Sequence, residues 1–300
     1  MKVFITGGSG FVGSHLIPLL LSRGHQAVGS GTSPHHPLES MQGFTYFSAN
    51  TTQPGDWQEE LKTVDAVINL AGRNIFQPWT EERKRSIYDS RILTTRNLVQ
   101  GLKQGQEVSL LSTSAVGYYG DRGEEELTEG KPPGEGFMAR ICRDWETEAQ
   151  KAEDKGARVA LMRFAVVLSR EGGALPKMLT PFKLGLGGPL GSGRQWFPWI
   201  HLQDLMEAAL FLLENQKLTG PFNFCAPQTL RHKEFARTLG RVLGRPALLK
   251  APTFALKLAL GELSQALLGS QRILPKRLQE AGFNFRFPDL ESALTHLLKS

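Results

Sequence analysis

A glycine-rich turn near the start of the chain is the feature that most directly predicts chemistry. Residues 3–5 form a short apolar run typical of a buried parallel strand, and residues 7–13 follow with the spacing Gly-x-x-Gly-x-x-Gly. A helix is predicted over residues 15–22, ending before Gly24. A strand, a glycine turn and a helix in this order present backbone amides and the positive end of the helix to an anion. The order predicts a binding site for the diphosphate of a dinucleotide.

Each glycine of this turn has its own physical task. Gly7 permits the tight turn, Gly10 lets the backbone approach a phosphate, and Gly13 lets the helix pack on the strand. A tight turn that binds no ligand is the alternative interpretation. The strand and helix on either side favour the nucleotide site.

The composition is that of an ordinary globular chain. Its 300 residues suffice for a large α/β domain and a smaller one, with 40% apolar and 21% charged residues. No run of 18 apolar residues occurs, so neither a transmembrane helix nor a membrane partner is expected. The two cysteines, Cys142 and Cys225, form no Cys-x-x-Cys pair, so we expect no metal site and a reducing, cytoplasmic location.

The net charge of +6 raises the question of nucleic-acid binding. The basic residues are spread along the chain and form no block, so no nucleic-acid partner is expected. A small, anionic substrate is the expected partner instead. Either a monomer or a homodimer is compatible with the sequence.

Apolar, β-rich runs alternate with helical patterns along the first part of the chain. Helical patterns are predicted over residues 81–103 and 142–154, and one further strand over residues 221–226. The alternation predicts a Rossmann-type, doubly wound parallel sheet of the α/β class. The β-rich runs lie at residues 3–5, 27–30, 44–48, 66–70, 108–112 and 159–162.

The character of the sequence changes after residue 170. Five glycines occur among the nine residues 185–193, as in a loop that a ligand approaches closely. We therefore predict a nucleotide-binding domain over residues 1–171, to which residues 201–226 return. Residues 172–200 and 227–300 are predicted to form a small, mostly helical C-terminal domain.

Several motifs together resemble a known family. They are Thr6-Gly7-Gly8-Ser9-Gly10-Phe11-Val12-Gly13, Asn69-Leu70-Ala71-Gly72, Ser112-Thr113-Ser114-Ala115, Leu161-Met162-Arg163 and Trp199-Ile200-His201-Leu202-Gln203-Asp204. The family is the extended short-chain dehydrogenase/reductases, which include nucleotide-sugar epimerases and dehydratases. Further segments, such as Trp79-Thr80-Glu81 and Ser270-Gln271-Arg272, resemble an atypical subgroup with a small C-terminal domain, usually named only as epimerase-family proteins.

The resemblance implies a nucleotide cofactor. Family members that use NAD place Asp or Glu after the second strand, whereas this chain has no acidic residue before Glu39. The missing acid and the resemblance favour NADP(H), with NAD(H) as the alternative. A surface ion pair is the alternative role for Arg91. The implied cofactor-binding residues are Gly7, Ser9, Gly10, Phe11, Val12, Gly13, Gly31, Thr32, Leu70, Ala71, Gly72, Ser86, Arg91, Ser112, Val166 and Val167.

The chain departs from the family at the catalytic pair. Family enzymes carry Tyr-x-x-x-Lys on the helix after the serine strand, where the Tyr is the general acid/base. Met138 and Cys142 occupy those two positions here. The nearby arginines cannot replace the Tyr, since Arg does not deprotonate. The resemblance therefore carries over the fold and cofactor site and leaves the chemistry open.

Other residues are candidates for catalysis. Ser114 matches the family's catalytic serine, and either Tyr118 or Tyr119 can replace the missing Tyr. A structural serine and two packed aromatic rings are the alternatives.

Three residues are candidates for substrate binding. Lys183 and Arg194 flank the glycine-rich loop and suit an anionic substrate, and Trp196 suits stacking on a ring. A buried aromatic cluster is the alternative role for Trp196. His201 is expected to serve the fold.

Two functions from different classes fit these features. The first is an NADP(H)-binding oxidoreductase or epimerase-like enzyme that acts on a carbonyl or nucleotide-sugar substrate. The second is a cofactor-binding sensor or scaffold that has lost its chemistry with the Tyr-x-x-x-Lys pair.

Overall fold

A computed structural model describes residues 1–299 of the chain. Among these residues the strands are β1 (Lys2–Thr6), β2 (Gln26–Gly31), β3 (Phe44–Ser48), β4 (Ala66–Asn69), β5 (Ser109–Ala115), β6 (Glu126–Leu127), β7 (Arg158–Phe164), β8 (Val166–Leu168), β9 (Trp199–His201), β10 (Gly220–Phe224) and β11 (Arg272–Ile273). The α-helices are α1 (Phe11–Ser22), α2 (Trp57–Glu60), α3 (Glu81–Gly101), α4 (Phe137–Gln150), α5 (Leu175–Lys183), α6 (Leu202–Glu214), α7 (His232–Leu243), α8 (Thr253–Leu260), α9 (Leu263–Leu268), α10 (Lys276–Glu280) and α11 (Leu290–Lys299).

Seven of the strands form one parallel sheet in the order β10-β7-β5-β4-β1-β2-β3. All six of the predicted β-rich runs lie in this sheet, and the predicted seventh strand is β10. The doubly wound parallel sheet predicted from the sequence is therefore confirmed. The strand order reverses between β1 and β4, and in such sheets ligands bind at the carboxyl ends of the strands beside the reversal.

Alternate residues of the central strands pack on opposite faces of the sheet. In β1, Val3 and Ile5 join an apolar cluster with Leu16 of α1 and Leu205 of α6, and all four side chains are fully buried. Phe4 points to the other face, where it joins a second cluster. Strands covered on both faces account for the continuous apolar runs in the sequence.

Two helices begin or end away from their predicted positions. Helix α1 begins at Phe11, four residues before the predicted start, because Gly10 already has the extended backbone of an N-cap. Helix α4 spans Phe137–Gln150 instead of residues 142–154, because the chain then enters a 3-10 turn that ends at Gly156 with a left-handed backbone.

A third apolar cluster joins α5, α7 and α11, with Leu175, Phe235 and Leu294 fully buried within it. His201 of β9 and Asp204 of α6 hold the segment that precedes α11. The His201 ring stacks on Phe287 at 4.0 Å, and Asp204 accepts hydrogen bonds from the backbone amides of Arg286 and Phe287 at 2.8 and 3.0 Å. Within residues 1–299 no helix has the length and apolar character needed to cross a membrane.

Candidate functional site

The glycine turn joins β1 to α1 at the carboxyl edge of the sheet. Gly7 has a φ of +67°, and its carbonyl accepts a hydrogen bond of 2.9 Å from the Gly10 amide. A Cβ atom on Gly13 would lie 2.5 Å from the Gly7 carbonyl oxygen, so only glycine fits there. The close approach keeps the amino end of α1, with its unpaired amides, directed at the turn.

The predicted cofactor residues from neighbouring strands lie around this turn. A Cβ atom on Gly31, at the end of β2, would collide with the Ser9 hydroxyl, and one on Gly7 would lie 3.1 Å from the Ala71 amide. One on Gly72 would lie 3.0 Å from the Arg91 Cζ atom. We call the surface formed by Gly7–Gly13, Gly31, Ala71, Gly72 and Arg91 the cradle. At these glycines the neighbouring protein atoms come so close that a side chain would displace them.

The outer side of the turn is covered by the segment after β8. The Phe11 ring packs against Gly172, where an added Cβ atom would come within 2.5 Å of the ring. A Cβ atom on Gly173 would lie 2.7 Å from the Val167 carbonyl oxygen and 3.3 Å from the same ring. This packing brings the Val167 backbone close to Phe11, and cofactor contacts of Val166 and Val167 stay a prediction.

Arg91 is half-buried, and no carboxylate of residues 1–299 forms an ion pair with it. Its guanidinium donates hydrogen bonds to the carbonyls of Ile87 at 3.0 Å and Arg73 at 3.1 Å, and it lies over the Trp145 ring. Burial lowers the pKa of Arg91 to about 10, so the side chain remains cationic at neutral pH. It therefore places a positive charge beside Gly72, at the rim of the cradle.

Three other predicted cofactor residues differ in exposure. Ser112 is fully buried inside the sheet, where its hydroxyl accepts a hydrogen bond from the Asn69 amide at 3.2 Å. Ser86 is half-buried on α3, and Thr32 is exposed just beyond β2. Of these three, only Thr32 and Ser86 have surface to offer to a cofactor.

Ser114 lies at the end of β5 and is nearly inaccessible. Its hydroxyl donates a 2.6 Å hydrogen bond to Glu146 of α4. Glu146 also accepts two hydrogen bonds of 2.8 Å from Arg163 of β7. In this arrangement the hydroxyl proton of Ser114 points into the protein, toward a buried ion pair.

The two tyrosines lie in a 3-10 turn (Val116–Tyr119) after β5 and have different surroundings. Tyr119 is fully buried; its hydroxyl donates to Asn223 and accepts from Arg163, both at 2.7 Å. Tyr118 is half-buried, and its ring lies 3.6 Å from the Arg163 guanidinium carbon. Burial raises the pKa of both phenols, so both are protonated at neutral pH. Tyr118 is the phenol that retains an accessible surface.

Helix α4 presents Met138 and Cys142 toward the end of β5. A Cβ atom on Gly117 would lie 3.2 Å from the Met138 Cβ atom and 3.8 Å from the Cys142 sulfur. Burial raises the pKa of Cys142 to about 11, which keeps the thiol neutral. Met138 and the neutral Cys142 thiol, which occupy the family's Tyr and Lys positions, therefore supply no acid or base near neutral pH.

The predicted substrate residues do not form one cluster with these groups by direct contact. Lys183 and Arg194 are exposed. Trp196 is half-buried, donates to Glu124 at 3.0 Å, and is stacked by Arg231 and Arg272 at 4.4 and 4.9 Å. The acidic residues 124–126 are paired with basic side chains, as a solvated acidic face would be.

Sequence reasoning missed the buried network around Arg163. Glu146, Asn223 and Glu129 all contribute to it, and the Arg163 guanidinium also donates to the Glu129 carbonyl at 3.2 Å. One signal was available: Glu146 follows Met138 and Cys142 at four-residue spacing, which places an acid on the buried face of α4.

The chain is similar to proteins of one family along its whole length. The model described as NAD dependent epimerase/dehydratase family matches residues 3–225, and one described as a domain of unknown function (DUF1731) matches residues 251–297. The epimerase family protein YfhF of Bacillus subtilis is 38% identical over 301 residues, which cover 99% of this chain and 98% of that protein.

Two solved structures are also similar. The human epimerase family protein SDR39U1 (isoform 2), crystallised with NADPH, is 32% identical with a TM-score of 0.88, and 100% of each chain is covered. The nucleoside-diphosphate sugar epimerase from Corynebacterium glutamicum is 32% identical with a TM-score of 0.80; the match covers 99% of this chain and 58% of that one.

Proposed function

Because this chain belongs to the NAD dependent epimerase/dehydratase family, we propose that it binds NADP(H) in the cradle and acts as an oxidoreductase or epimerase. The observation that carries the proposal is the close packing of Gly13 on the Gly7 carbonyl, which holds the amino end of α1 at the turn. Helix amides and the Arg91 guanidinium then face the anionic diphosphate. The human relative crystallised with NADPH supports this choice of cofactor.

We propose Tyr118 as the proton donor in place of the missing family Tyr. The Tyr119 hydroxyl is hydrogen-bonded to Asn223 and Arg163, and the Ser114 hydroxyl donates a hydrogen bond to Glu146. Tyr118 combines a protonated phenol with an accessible surface and a cation against its ring. When bound, NADPH supplies a hydride to a substrate carbonyl carbon. The Tyr118 hydroxyl donates its proton to the carbonyl oxygen, and the product is an alcohol.

The substrate is proposed to be a small anionic molecule, with a nucleoside-diphosphate sugar as the class to test first. The Corynebacterium relative bears that name, and Lys183 and Arg194 are exposed cations near the glycine-rich loop. A reducing, cytoplasmic location suits the chain, since both cysteines are buried as free thiols.

A non-catalytic sensor is the second candidate. The observation in its favour is the hydrogen bond from Ser114 to Glu146, which withholds from substrate the proton of the family's catalytic serine. A sensor would bind the cofactor and leave its redox state unchanged.

A single-turnover experiment tests the proposal. NADPH-loaded protein is mixed with carbonyl and nucleoside-diphosphate sugar substrates while NADPH fluorescence is followed. Tyr118→Phe is expected to slow oxidation about 10²–10⁴-fold with NADPH affinity retained. Tyr88→Phe is the matched control, because it removes a phenol of α3 that is hydrogen-bonded to Asp144 of α4. This variant should oxidise NADPH at the full rate.

Three outcomes separate the alternatives. Full activity of Tyr118→Phe would exclude this phenol as the donor. Stable binding of NADPH with no oxidation by any substrate would support the sensor. Failure to bind either nucleotide would overturn the cofactor assignment itself.

A further inference from the structure

Six large apolar side chains are exposed on two segments that lie side by side. The amide of Leu249 donates to the Gly187 carbonyl at 3.2 Å, and the Gly191 amide donates to Ala251 at 2.9 Å. These bonds align residues 184–191 with residues 248–251, and α8 follows directly. We call the following residues the apolar patch: Leu184, Leu186, Leu248, Leu249, Phe254 and Leu258.

Exposure in this patch is unusually high for such residues. Leu258 is 87% exposed, Leu248 81% and Phe254 74%, and α8 has no buried residue. Phe254 and Leu258 are four positions apart and therefore share one face of α8. Single exposed leucines are normal, whereas a group of six on adjoining segments marks a contact surface.

The two chain segments that carry the patch contain basic and no acidic side chains, although Arg241 pairs with Glu291 and Glu262 follows the second segment directly. Residues 172–203 and 235–261 contain eight Lys or Arg and no Asp or Glu. Lys183, Lys250 and Lys257 are exposed and lie next in sequence to residues of the patch. An occupant of this surface must therefore offer both apolar volume and negative charge.

We propose that the apolar patch binds the surface of an anionic lipid bilayer. Leucine, phenylalanine and lysine are the residues of helices that lie in the membrane interface. Helix α8 has eight residues, about 12 Å, which is too short to cross a bilayer and suits lying on it. The sequence-based expectation of no membrane partner considered only spanning helices.

Two other occupants fit the surface less well. In a contact between two copies around a two-fold axis, the same lysines would face one another and repel. Protein interfaces are anchored mainly by Trp, Tyr and Arg, and the sixteen residues 245–260 contain no Trp or Tyr and a single Arg.

Vesicle co-sedimentation of the full chain tests the proposal. Vesicles of phosphatidylcholine alone are compared with vesicles that also contain phosphatidylglycerol, at low and at raised salt. The protein is expected to sediment with the anionic vesicles at low salt and to be released from them at raised salt. It is not expected to bind the neutral vesicles. This readout is independent of the proposed enzyme activity.

Two double variants locate the contact. Lys250→Gln with Lys257→Gln should weaken binding about 30-fold, since each lysine near an anionic surface contributes about fivefold. Phe254→Ser with Leu258→Ser should weaken it at least about tenfold by removing the inserted side chains, and both pairs leave the core intact. Lys103→Gln with Lys217→Gln removes the same charge from the amino edge of the sheet and is the matched control, expected to bind like the parent chain.

Four results would overturn the proposal. No sedimentation with anionic vesicles at low salt would exclude it. Equal weakening by the control pair would show binding through net charge alone. A dimer in size exclusion that Phe254→Ser with Leu258→Ser abolishes, without vesicle binding by the parent, would assign the patch to a second copy. Selective binding to an acidic protein without vesicle binding would assign it to a protein partner.

Discussion

Tyr118 and Tyr119 are adjacent in sequence and differ in burial and in hydrogen bonding. The Tyr119 hydroxyl lies between Asn223 and Arg163, while the Tyr118 ring lies against the same guanidinium, with its centroid 3.6 Å from the guanidinium carbon. From the sequence, either phenol could serve a substrate oxygen. Burial and hydrogen bonding distinguish them, and neither property is readable from two consecutive tyrosines.

Tyr119→Phe is expected to lower stability. The change leaves the Asn223 carbonyl oxygen and one Arg163 donor without their buried partner, which costs about 1–3 kcal/mol of unfolding free energy. Urea unfolding followed by tryptophan fluorescence measures the loss. Tyr118→Phe is the matched control and should unfold within about 0.5 kcal/mol of the parent chain. Equal stability of all three proteins would contradict the structural role of Tyr119.

At the scale of elements, a buried ion pair connects helix α4 to the sheet. Glu146 of α4 and Arg163 of β7 are 7% and 3% exposed at their side chains, and Ser114 of β5 joins them. Three elements around the candidate active site are thereby held in register by one carboxylate. The Tyr118 ring is supported by the same guanidinium, so the pair also fixes the proposed proton donor.

Glu146→Gln is expected to be strongly destabilising, by about 3–5 kcal/mol, because it leaves the Arg163 charge buried without a counter-charge. Glu146→Gln combined with Arg163→Met should regain part of that loss, since no uncompensated charge remains. Chemical denaturation of the parent, single and double variants measures both effects. Glu207→Gln, which removes a carboxylate from the surface pair with Arg23, is the control and should cost about 1 kcal/mol or less. A double variant with a lower unfolding free energy than Glu146→Gln alone would contradict this explanation.

Two buried histidines should make the fold sensitive to acid. Burial lowers the pKa of His201 and of His232 to about 4. In the unfolded chain their pKa is about 6.5, so below that pH the unfolded state binds more protons and stability falls as pH decreases toward 4. At pH 5 each histidine costs up to about 2 kcal/mol relative to pH 7.

His232→Asn removes one of these groups, and we expect it to reduce the loss of stability between pH 7 and pH 5 by about half. Unfolding free energies from urea titrations at pH 7, 6 and 5 measure it. The exposed His35 offers a control for the substitution itself, since His35→Asn should unfold within about 0.5 kcal/mol of the parent chain at pH 7. A parent chain equally stable at pH 5 and pH 7 would contradict the prediction.

The strands of the large sheet could be predicted because both of their faces are buried, which leaves continuous apolar runs. The short pairs β8 with β9 and β6 with β11 could not. They have two or three residues per strand, too few for a periodic signal, and Leu127 of β6 pairs with Ile273 of β11, far along the chain. The glycine turn was predictable because strand, turn and helix are contiguous, whereas the Glu146–Arg163 pair depends on the tertiary contact of α4 with β7.

At the scale of the whole molecule, cofactor binding is linked to stability. A ligand that binds only the folded chain raises the unfolding free energy by an amount set by its concentration relative to Kd. NADPH at a concentration of 100 Kd stabilises by about 2.7 kcal/mol. For 300 residues this corresponds to a rise in Tm of about 4 °C, from the usual unfolding entropy per residue.

NADPH should raise Tm more than NADH at equal concentration. The segment after β2 has no acid before Glu39 to hold a ribose hydroxyl or to repel a 2′-phosphate, and no Arg to grip the phosphate, so the margin should be small. A tenfold weaker NADH would stabilise by about 1.4 kcal/mol and raise Tm by about 2 °C. Differential scanning fluorimetry with both nucleotides measures these shifts in Tm.

Gly13→Ala should abolish both shifts in Tm, because its Cβ atom would meet the Gly7 carbonyl at 2.5 Å and displace α1 from the turn. Gly130→Ala, where a Cβ atom meets only open space, is the matched control and should keep both shifts. A larger shift with NADH would reverse the assignment of cofactor preference, and undiminished shifts in Gly13→Ala would remove the cradle from the binding site.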